Sequence, residues 1–200
     1  MGTQRARQTL EIAAEAARRM LEEGLEFAAA KAKAARSLGF ARVELPRNEA
    51  VEDEVRAQIA LFHADEQPAE LAALRALARS WMQRLAEFRP HLSGAVWRGI
   101  ATRRSAVHLD LYCDDPKAAE LALINAGVDF DVGGVDHPRH GPVDVLAVAG
   151  RVPDWPEPVT IFLFVHDLDD LRGALTCDAQ GRSWRGDLAA LERSIATAAP

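Results

Sequence analysis

The fold is decided by the stretch Trp97-Arg98-Gly99-Ile100-Ala101-Thr102-Arg103-Arg104-Ser105-Ala106-Val107-His108-Leu109-Asp110-Leu111. From Ala106 to Cys113 apolar and polar side chains alternate, which is typical of a half-buried β-strand. Side chains two positions apart on a strand share a face, so His108 and Asp110 are expected on the same side. The stretch therefore predicts a sheet that carries an imidazole and a carboxylate side by side.

Further strands and helices are predicted on either side of this strand. Asp115 followed by Pro116 is a helix start, and that helix is expected to end at Gly127. Another helix begins near Asp187. The pattern predicts an α/β or α+β domain with a small mixed sheet of about five strands. These strands are expected at residues 94–97 (a short strand or the turn at the end of one), 106–113, 128–132, 143–149 and 159–165.

The first part of the chain has helical periodicity instead. Apolar residues recur at intervals of three and four, and glycine or proline separates four such segments. We therefore expect an N-terminal helical region over residues 1–90 and the α/β domain over residues 91–200. The four helices are expected to end at Gly24, to run from Glu26 to Ser37, to start near Glu49, and to run from Pro68 until Pro90 closes the last one.

Composition excludes several classes of protein. The 200 residues are 48% apolar and 27% charged, which argues against a disordered chain, a collagen-like fibre and a disulfide scaffold. A net charge of −6 disfavours an extended nucleic-acid surface but leaves room for a small nucleotide pocket. Cys113 and Cys177 are far apart and form no metal-binding pair. We expect reduced thiols, no membrane span and a cytoplasmic location.

The turn before the strand carries a recognisable spacing. Arg98, Gly99, Ala101 and Ser105 form the pattern Arg-Gly-x-Ala-x-x-x-Ser, and a strand follows it. From Gly94 to about Leu146 the chain resembles the signature of the polymerase-β-like nucleotidyltransferase superfamily. The resemblance implies a nucleotidyltransferase-like fold, a nucleoside triphosphate as ligand and Mg²⁺ as cofactor.

The resemblance also implies roles for particular residues. Asp110 and Asp144, on neighbouring strands, would bind Mg²⁺, and His108 would be an unusual ligand or a proton shuttle. Carboxylates grouped on one sheet face hold the cations that clamp a triphosphate. The phosphates themselves would be contacted by Arg98, Gly99 and Ser105.

The Asp-x-Asp motif of the superfamily is degenerate in this chain. Counted from Ser105, its two positions hold Ala106 and His108, and Asp110 lies further along the same face. The usual Gly-Ser pair falls on Gly94-Ala95, so the glycine is kept and the hydroxyl is lost. We therefore expect a nucleotide-binding protein of this superfamily with weakened or altered catalysis. The alternative is a non-catalytic binding or assembly protein whose helical arm contacts partners. Both hypotheses are compatible with a homodimer.

Three other polar segments allow two interpretations each. Arg103 and Arg104 either contact phosphate together with Arg98 or lie in a solvated turn. The acids within residues 166–170 either serve a site at the sheet edge or begin a helix, where the helix dipole favours them. The loop 181–187 either closes over an anion or only leads into the last helix. Two histidines within residues 136–140 would need a further ligand to hold zinc.

Overall fold

The computed structural model of the chain describes residues 2–40, 43–137, 141–178 and 180–198. The chain divides into two compact units. The first contains Met1–Leu71 and Gly99–Ser105, and the second contains Ala72–Arg98 and Ala106–Pro200. The domain boundary expected at residue 90 stays a prediction.

The first unit is built from helices, as the periodicity predicts. Their buried faces are lined by small and branched residues, such as Ala16, Ala34 and Val55, each with no exposed surface. Small side chains let helices approach closely. The predicted ends of the first two helices and the predicted starts of the second, third and fourth are confirmed within one or two residues. The fourth helix ends at Arg84, well before Pro90, and a separate 3-10 helix follows it. The helices are α1 (Gly2–Glu23), α2 (Phe27–Ser37), α3 (Asn48–Phe62) and the start of α4 (Gln67–Arg84).

Gly24 ends the first helix at a place where only glycine fits. Its φ of +69° lies in the left-handed region, and its amide donates to the Met20 carbonyl. A Cβ at this position would stand 1.9 Å from the carbonyl oxygen of Arg104. The turn after α1 therefore depends on both the backbone freedom and the small size of glycine.

Several large apolar side chains of the helical arm face solvent. Leu10, Leu61 and Phe62 are exposed by 62%, 74% and 75%. Scattered exposed apolar residues are common on soluble proteins. The partner contacts predicted for this arm, and a homodimer built through it, stay predictions.

The second unit contains a six-stranded mixed sheet, which confirms the mixed α/β class. Residues 94–97 form a helix, and the strand lies just before them. The strands are β1 (His91–Ser93), β2 (Val107–Cys113), β3 (Phe130–His137), β4 (Gly141–Gly150), β5 (Val159–Asp167) and β6 (Arg185–Gly186).

Helical segments connect these strands. Two are 3-10 helices, Ala86–Phe88 and Leu168–Gly173. The α-helices after α4 are α5 (Gly94–Arg98), α6 (Ala118–Asn125) and α7 (Leu188–Ala198). No described helix combines the length and the apolar composition that a bilayer crossing requires.

The strand order is β3-β4-β5-β2-β1-β6, and only β2 and β5 run parallel. One face of the sheet is the core of the unit. Leu109 and Leu111 on β2 lie beside Leu163 and Val165 on β5, and all four are buried. Burying a leucine or valine side chain stabilises a fold by roughly 1.5–3 kcal/mol. This face fixes the register, so the alternate residues of the same strands must point to the other face.

We expect Gly24→Ala to destabilise the protein more than Gly39→Ala. Both glycines have positive φ, but a Cβ at Gly39 meets no atom within 4 Å. Gly39→Ala should therefore cost about 1 kcal/mol of unfolding free energy, from backbone strain alone. Gly24→Ala should cost a further 1–3 kcal/mol, because the carbonyl of Arg104 must move. Urea unfolding of both variants measures the difference, and equal losses would contradict the close approach.

Candidate functional site

The second face of the sheet is polar and aromatic. On β2 it carries His108, Asp110 and Tyr112, because residues two apart share a face. The parallel register places them beside Phe162, Phe164 and His166 on β5. We call this surface the polar face. The predicted sharing of one face by His108 and Asp110 is confirmed.

Asp110 is the buried centre of the polar face. Its Oδ1 accepts a hydrogen bond of 2.9 Å from Nε2 of His166, and the two side chains are only 8% and 10% exposed. Arg185 places Nη1 3.4 Å from the other carboxylate oxygen. The same Nη1 donates to the hydroxyl of Tyr112 at 2.7 Å. An aspartate, a histidine, an arginine and a tyrosine therefore form one connected network.

Two opposing effects set the pKa of Asp110. Burial alone would raise it, since a charged carboxylate loses its water. The hydrogen bond from His166 and the positive charge of Arg185 outweigh burial, with help from Ser93, and hold the pKa below its ordinary value. Asp110 is therefore charged at neutral pH, and its neighbours supply the compensating charge.

Burial and the charge of Asp110 also shift Tyr112. Together they raise the pKa of this phenol to about 12, although Arg185 partly opposes them. The phenol is thus neutral at physiological pH and can accept the hydrogen bond from Arg185. Its ring stacks on His166 with centroids 5.3 Å apart, which helps to hold the imidazole in position.

The network keeps two polar atoms without a hydrogen-bond partner among the described residues. They are Oδ2 of Asp110 and Nε of Arg185, and both are buried. Most buried polar atoms in proteins have a hydrogen-bond partner, either a protein group or water. Asp110 and Arg185 attract each other by charge, because the distance between Oδ2 and Nη1 is slightly too long for a good hydrogen bond.

Asp144 does not join Asp110, and the expectation that their strands are neighbours is wrong. β5 lies between β4 and β2 in the sheet. Asp144 is in register with Val165, which points to the core face together with Leu111. Asp144 therefore belongs to the opposite face from Asp110. It is half-exposed and lies 3.8 Å from the ammonium of Lys117.

A shared cation site on these two carboxylates is therefore not supported by the strand order. Nor do the described residues contain a group of three metal-ligating side chains placed to hold an ion. His108 itself contacts the rings of Phe162 and Phe164, with centroids 5.3 and 5.4 Å away. Its predicted role as a ligand or proton shuttle stays a prediction.

Arg98 is buried rather than presented to a ligand. Its guanidinium forms an ion pair of 2.9 Å with Asp178, and these two side chains are 3% and 0% exposed. It also donates to the Ser183 carbonyl and lies 4.2 Å from the ring of Trp184. The Trp97 indole donates to the same Ser183 carbonyl. The predicted phosphate contact of Arg98 is not supported by this placement, because its partners are protein groups.

These contacts show what holds the loop 181–187, for which the sequence allowed either closure over an anion or a simple connection to the last helix. Asp178 accepts hydrogen bonds from the amides of Gln180 and Arg182 as well as the ion pair from Arg98. The loop is thus fastened to α5, and it leads into β6, which carries Arg185. The alternation along β2 places Tyr112 on the same face as Asp110, so the sequence could have indicated that this tyrosine belongs to the site. No local signal could have indicated Asp178 as the partner of Arg98, because the two are 80 positions apart.

Gly99 and Ser105 lie in the first unit. Gly99 has a φ of +74°, and its carbonyl accepts from the side-chain amide of Gln67 at 3.4 Å. Ser105 is buried, and its hydroxyl oxygen accepts from the Thr102 amide at 3.1 Å. Both residues thus make local contacts that shape the turn, while their predicted phosphate contacts stay predictions. Arg103 is exposed, and its amide donates to Glu70.

A cavity of about 320 Å³ opens where the parallel strands β2 and β5 end. His166 reaches it from the polar face. Asp167 caps the following 3-10 helix by accepting from the amide of Asp169, so the helix-start interpretation of this acidic segment is confirmed. The predicted two-histidine loop includes residues 138–140, which lie outside the described residues. The cavity is lined by Cys113, Pro116, Pro142, Val143, Asp144, Val165, His166, Asp167 and Asp170.

Comparison with known proteins gives two partial likenesses. No protein-family model and no curated protein matches the chain. A structure of Cid1, described by its RNA terminal uridylyl transferase activity, is 13% identical with a TM-score of 0.34, covering 57% of this chain and 36% of that one. A structure of the Cid1 poly(U) polymerase with MgGTP bound is 12% identical with a TM-score of 0.33, covering 57% and 38%.

The chain thus spans little more than a third of the length of those proteins. At such identity and TM-scores, the likeness does not transfer their activity to this chain. What can be concluded about function depends on the residues of the polar face.

We expect the phenol of Tyr112 to ionise with a midpoint near pH 12 in the folded protein. It is the one tyrosine of the sequence, so absorbance at alkaline pH reports it alone. Unfolding in urea should return the midpoint to about 10. Asp110→Asn should lower the folded midpoint, since removing a nearby negative charge favours the phenolate. A folded midpoint near 10 would contradict the buried network.

We expect Asp110→Asn to cost about 3 kcal/mol of unfolding free energy at pH 7, because the partly buried Arg185 loses its counter-charge. A carboxyl whose folded pKa is lowered stabilises the fold above its ordinary pKa, and this contribution is lost as pH falls through the folded pKa. The difference between wild type and variant should therefore shrink below about pH 4. Denaturant unfolding at several pH values measures it.

Asp144→Asn is the matched control for this experiment. Its carboxylate is half-exposed, so the change should stay within about 0.5 kcal/mol at every pH. A loss from Asp110→Asn that does not depend on pH would contradict a charged Asp110.

Proposed function

We propose that the second unit is a nucleotide-binding domain of the nucleotidyltransferase class that has lost two-metal catalysis. The observation that carries this proposal is the environment of Asp110. The carboxylate expected to hold Mg²⁺ is instead paired with His166 and Arg185. A fixed guanidinium supplies the positive charge that a metal ion provides in an active enzyme of this class.

The order of elements around Asp110 supports the class. A short strand, β1, ends at Ser93, and the next residue, Gly94, has a φ of +69° and begins the helix α5. The next strand of the sheet is β2, and it carries Asp110. The resemblance carried by Arg98, Gly99, Ala101 and Ser105 implies a glycine turn that leads through this motif into an acidic strand, and Gly94 and β2 follow that order.

The residues beside Asp110 do not fit a two-magnesium site. Mg²⁺ in such sites is bound by carboxylates and phosphate oxygens in nearly octahedral geometry. The neighbouring positions on the polar face of β2 are His108 and Tyr112, and the facing positions of β5 are Phe164 and His166. None of these is a carboxylate. The proposed function therefore includes no metal-dependent nucleotidyl transfer.

The proposal assigns Arg185 to the phosphates of the nucleotide. Its side chain is 27% exposed, so part of it is accessible from the open side of the polar face. A planar guanidinium forms strong, directional hydrogen bonds with phosphate. Because Asp110 already neutralises part of its charge, we expect moderate affinity, with dissociation constants between micromolar and millimolar.

We expect calorimetric titration with ATP, CTP, GTP and UTP to show binding that changes less than about twofold between Mg²⁺ and EDTA. The double variant Asp110→Asn/Arg185→Gln removes both charges of the pair and keeps the buried site neutral. It should bind nucleotide about tenfold more weakly, as expected for one charged hydrogen bond. Circular dichroism confirms that the variant is folded.

Arg151→Gln is the matched control, since Arg151 is exposed and lies outside the polar face. It should bind nucleotide as the wild type does. Absence of binding of all four nucleotides at millimolar concentration overturns the proposal. Binding that requires Mg²⁺ would instead show that a metal site exists.

A further inference from the structure

We propose that a nucleobase stacks on an aromatic platform formed by His108, Phe162 and Phe164. The proposal rests on the proposed function and specifies how that site would hold its ligand. The ligand class is a mononucleotide, whose base lies on the platform while its phosphates reach Arg185. Nothing in the spacing of the sequence motif assigns these three rings to ligand binding.

The platform is a consequence of the parallel register. His108 on β2 lies beside Phe162 on β5, and Phe164 is the next residue of β5 on the same face. The His108 ring is 5.3 Å from Phe162 and 5.4 Å from Phe164, and the two phenylalanine rings are 6.5 Å apart. Three rings therefore form one contiguous aromatic surface, at separations typical of interacting aromatic pairs.

The rings are more exposed than the residues that alternate with them. Leu109 and Leu163, on the same strands but on the core face, have no exposed surface. His108, Phe162 and Phe164 are only partly buried. Beyond Phe162 the face continues with Ala147 of β4, whose methyl side chain does not obstruct the approach of a flat ligand. The platform is therefore partly accessible on the side away from the core.

Charge is placed beside the platform at a suitable distance. Ser93 of β1 is in register with both His108 of β2 and Arg185 of β6. The backbones of His108 and Arg185 are therefore separated by two strand spacings. Two strand spacings put the two backbones roughly 10 Å apart, which is about the length of one nucleotide from base to phosphate. From β6 the guanidinium extends over the same face to Asp110, which is in register with Phe164 of the platform. The platform and the guanidinium can thus contact the two ends of a single nucleotide.

A mononucleotide fits these observations better than a nucleic-acid strand. Single-strand binding sites combine stacked bases with a positively charged groove that follows the backbone. Here the chain has a net charge of −6, and among the residues that the structure describes the strands of the polar face offer one guanidinium, which is already paired with Asp110. One base and one set of phosphates is what this surface can hold.

The test compares three ligands on matched variants of the full chain. The ligands are ATP, adenosine and inorganic tripolyphosphate, and the variants are Phe162→Leu, Phe164→Leu and Phe130→Leu. Phe130 is in register with Val148, which faces the core side, so it is the control aromatic residue on another part of the sheet. Leucine keeps the apolar character and removes the ring. Thermal unfolding confirms that each variant folds.

Loss of stacking should weaken ATP and adenosine binding about tenfold in Phe162→Leu and in Phe164→Leu, within the range measured for base–aromatic stacking. Tripolyphosphate has no base, so its affinity should not change in these variants. Phe130→Leu should bind all three ligands as the wild type does. This pattern supports the platform.

Other patterns overturn the platform or the proposed function separately. If ATP binds the wild type and both platform variants equally, the platform is wrong and the nucleotide site stands. A different result is possible in which adenosine binds the wild type and binds Phe164→Leu more weakly, ATP binds no tighter than adenosine, and tripolyphosphate does not bind. In that case the platform stands and the role of Arg185 is wrong. If neither ATP nor adenosine binds the wild type at millimolar concentration, both proposals fail. A single-stranded oligoadenylate that binds more than tenfold tighter than ATP overturns the mononucleotide assignment.

Discussion

The second unit depends on keeping one carboxylate, that of Asp110, charged inside a sheet. Removing a carboxylate from water costs several kcal/mol unless other groups compensate its charge. His166 and Arg185 provide that compensation from two different strands. Strands β5, β2 and β6 are thereby tied together on the polar face, while the leucine-rich core face holds β5 and β2 together from the other side. The position of Asp110 thus constrains both the fold and the chemistry of the unit.

The network around Asp110 depends on a second ion pair, between Arg98 and Asp178, because this pair holds the loop that precedes Arg185. Arg98 and Asp178 are both nearly inaccessible to solvent, and Trp184 lies against the guanidinium. Breaking a buried pair of this kind leaves an uncompensated charge, so the loop has little freedom to detach. The arginine that the sequence motif suggests for phosphate is therefore used for positioning. A different arginine, Arg185, contacts Asp110 and Tyr112 on the polar face, and it is the arginine that we propose for a ligand phosphate.

Much of the fold was predictable from local patterns, and the geometry of the candidate site was not. Helical periodicity placed the helices of the first unit, and alternation placed β2, β4 and β5 within a few residues. Two exceptions were short, since β1 has three residues and β6 two, too few for a pattern. The third was β3, which was predicted at 128–132 and is Phe130–His137. Pairing Asp110 with Asp144 failed for a physical reason. Strand order and register are set by contacts between distant segments, and a shift of one residue moves a side chain to the other face.

By itself the sequence determined that residues 106–113 form a strand, that His108 and Asp110 share one of its faces, and that the chain is a mixed α/β protein with a helical start. These are consequences of periodicity and composition, which act over a few neighbouring residues. Only the tertiary structure decided which residues surround Asp110. His166 and Arg185 lie 56 and 75 positions away along the chain, and burial of the core face brings them together. The partners of a buried charge depend on which strands lie side by side, and that order is a property of the whole sheet.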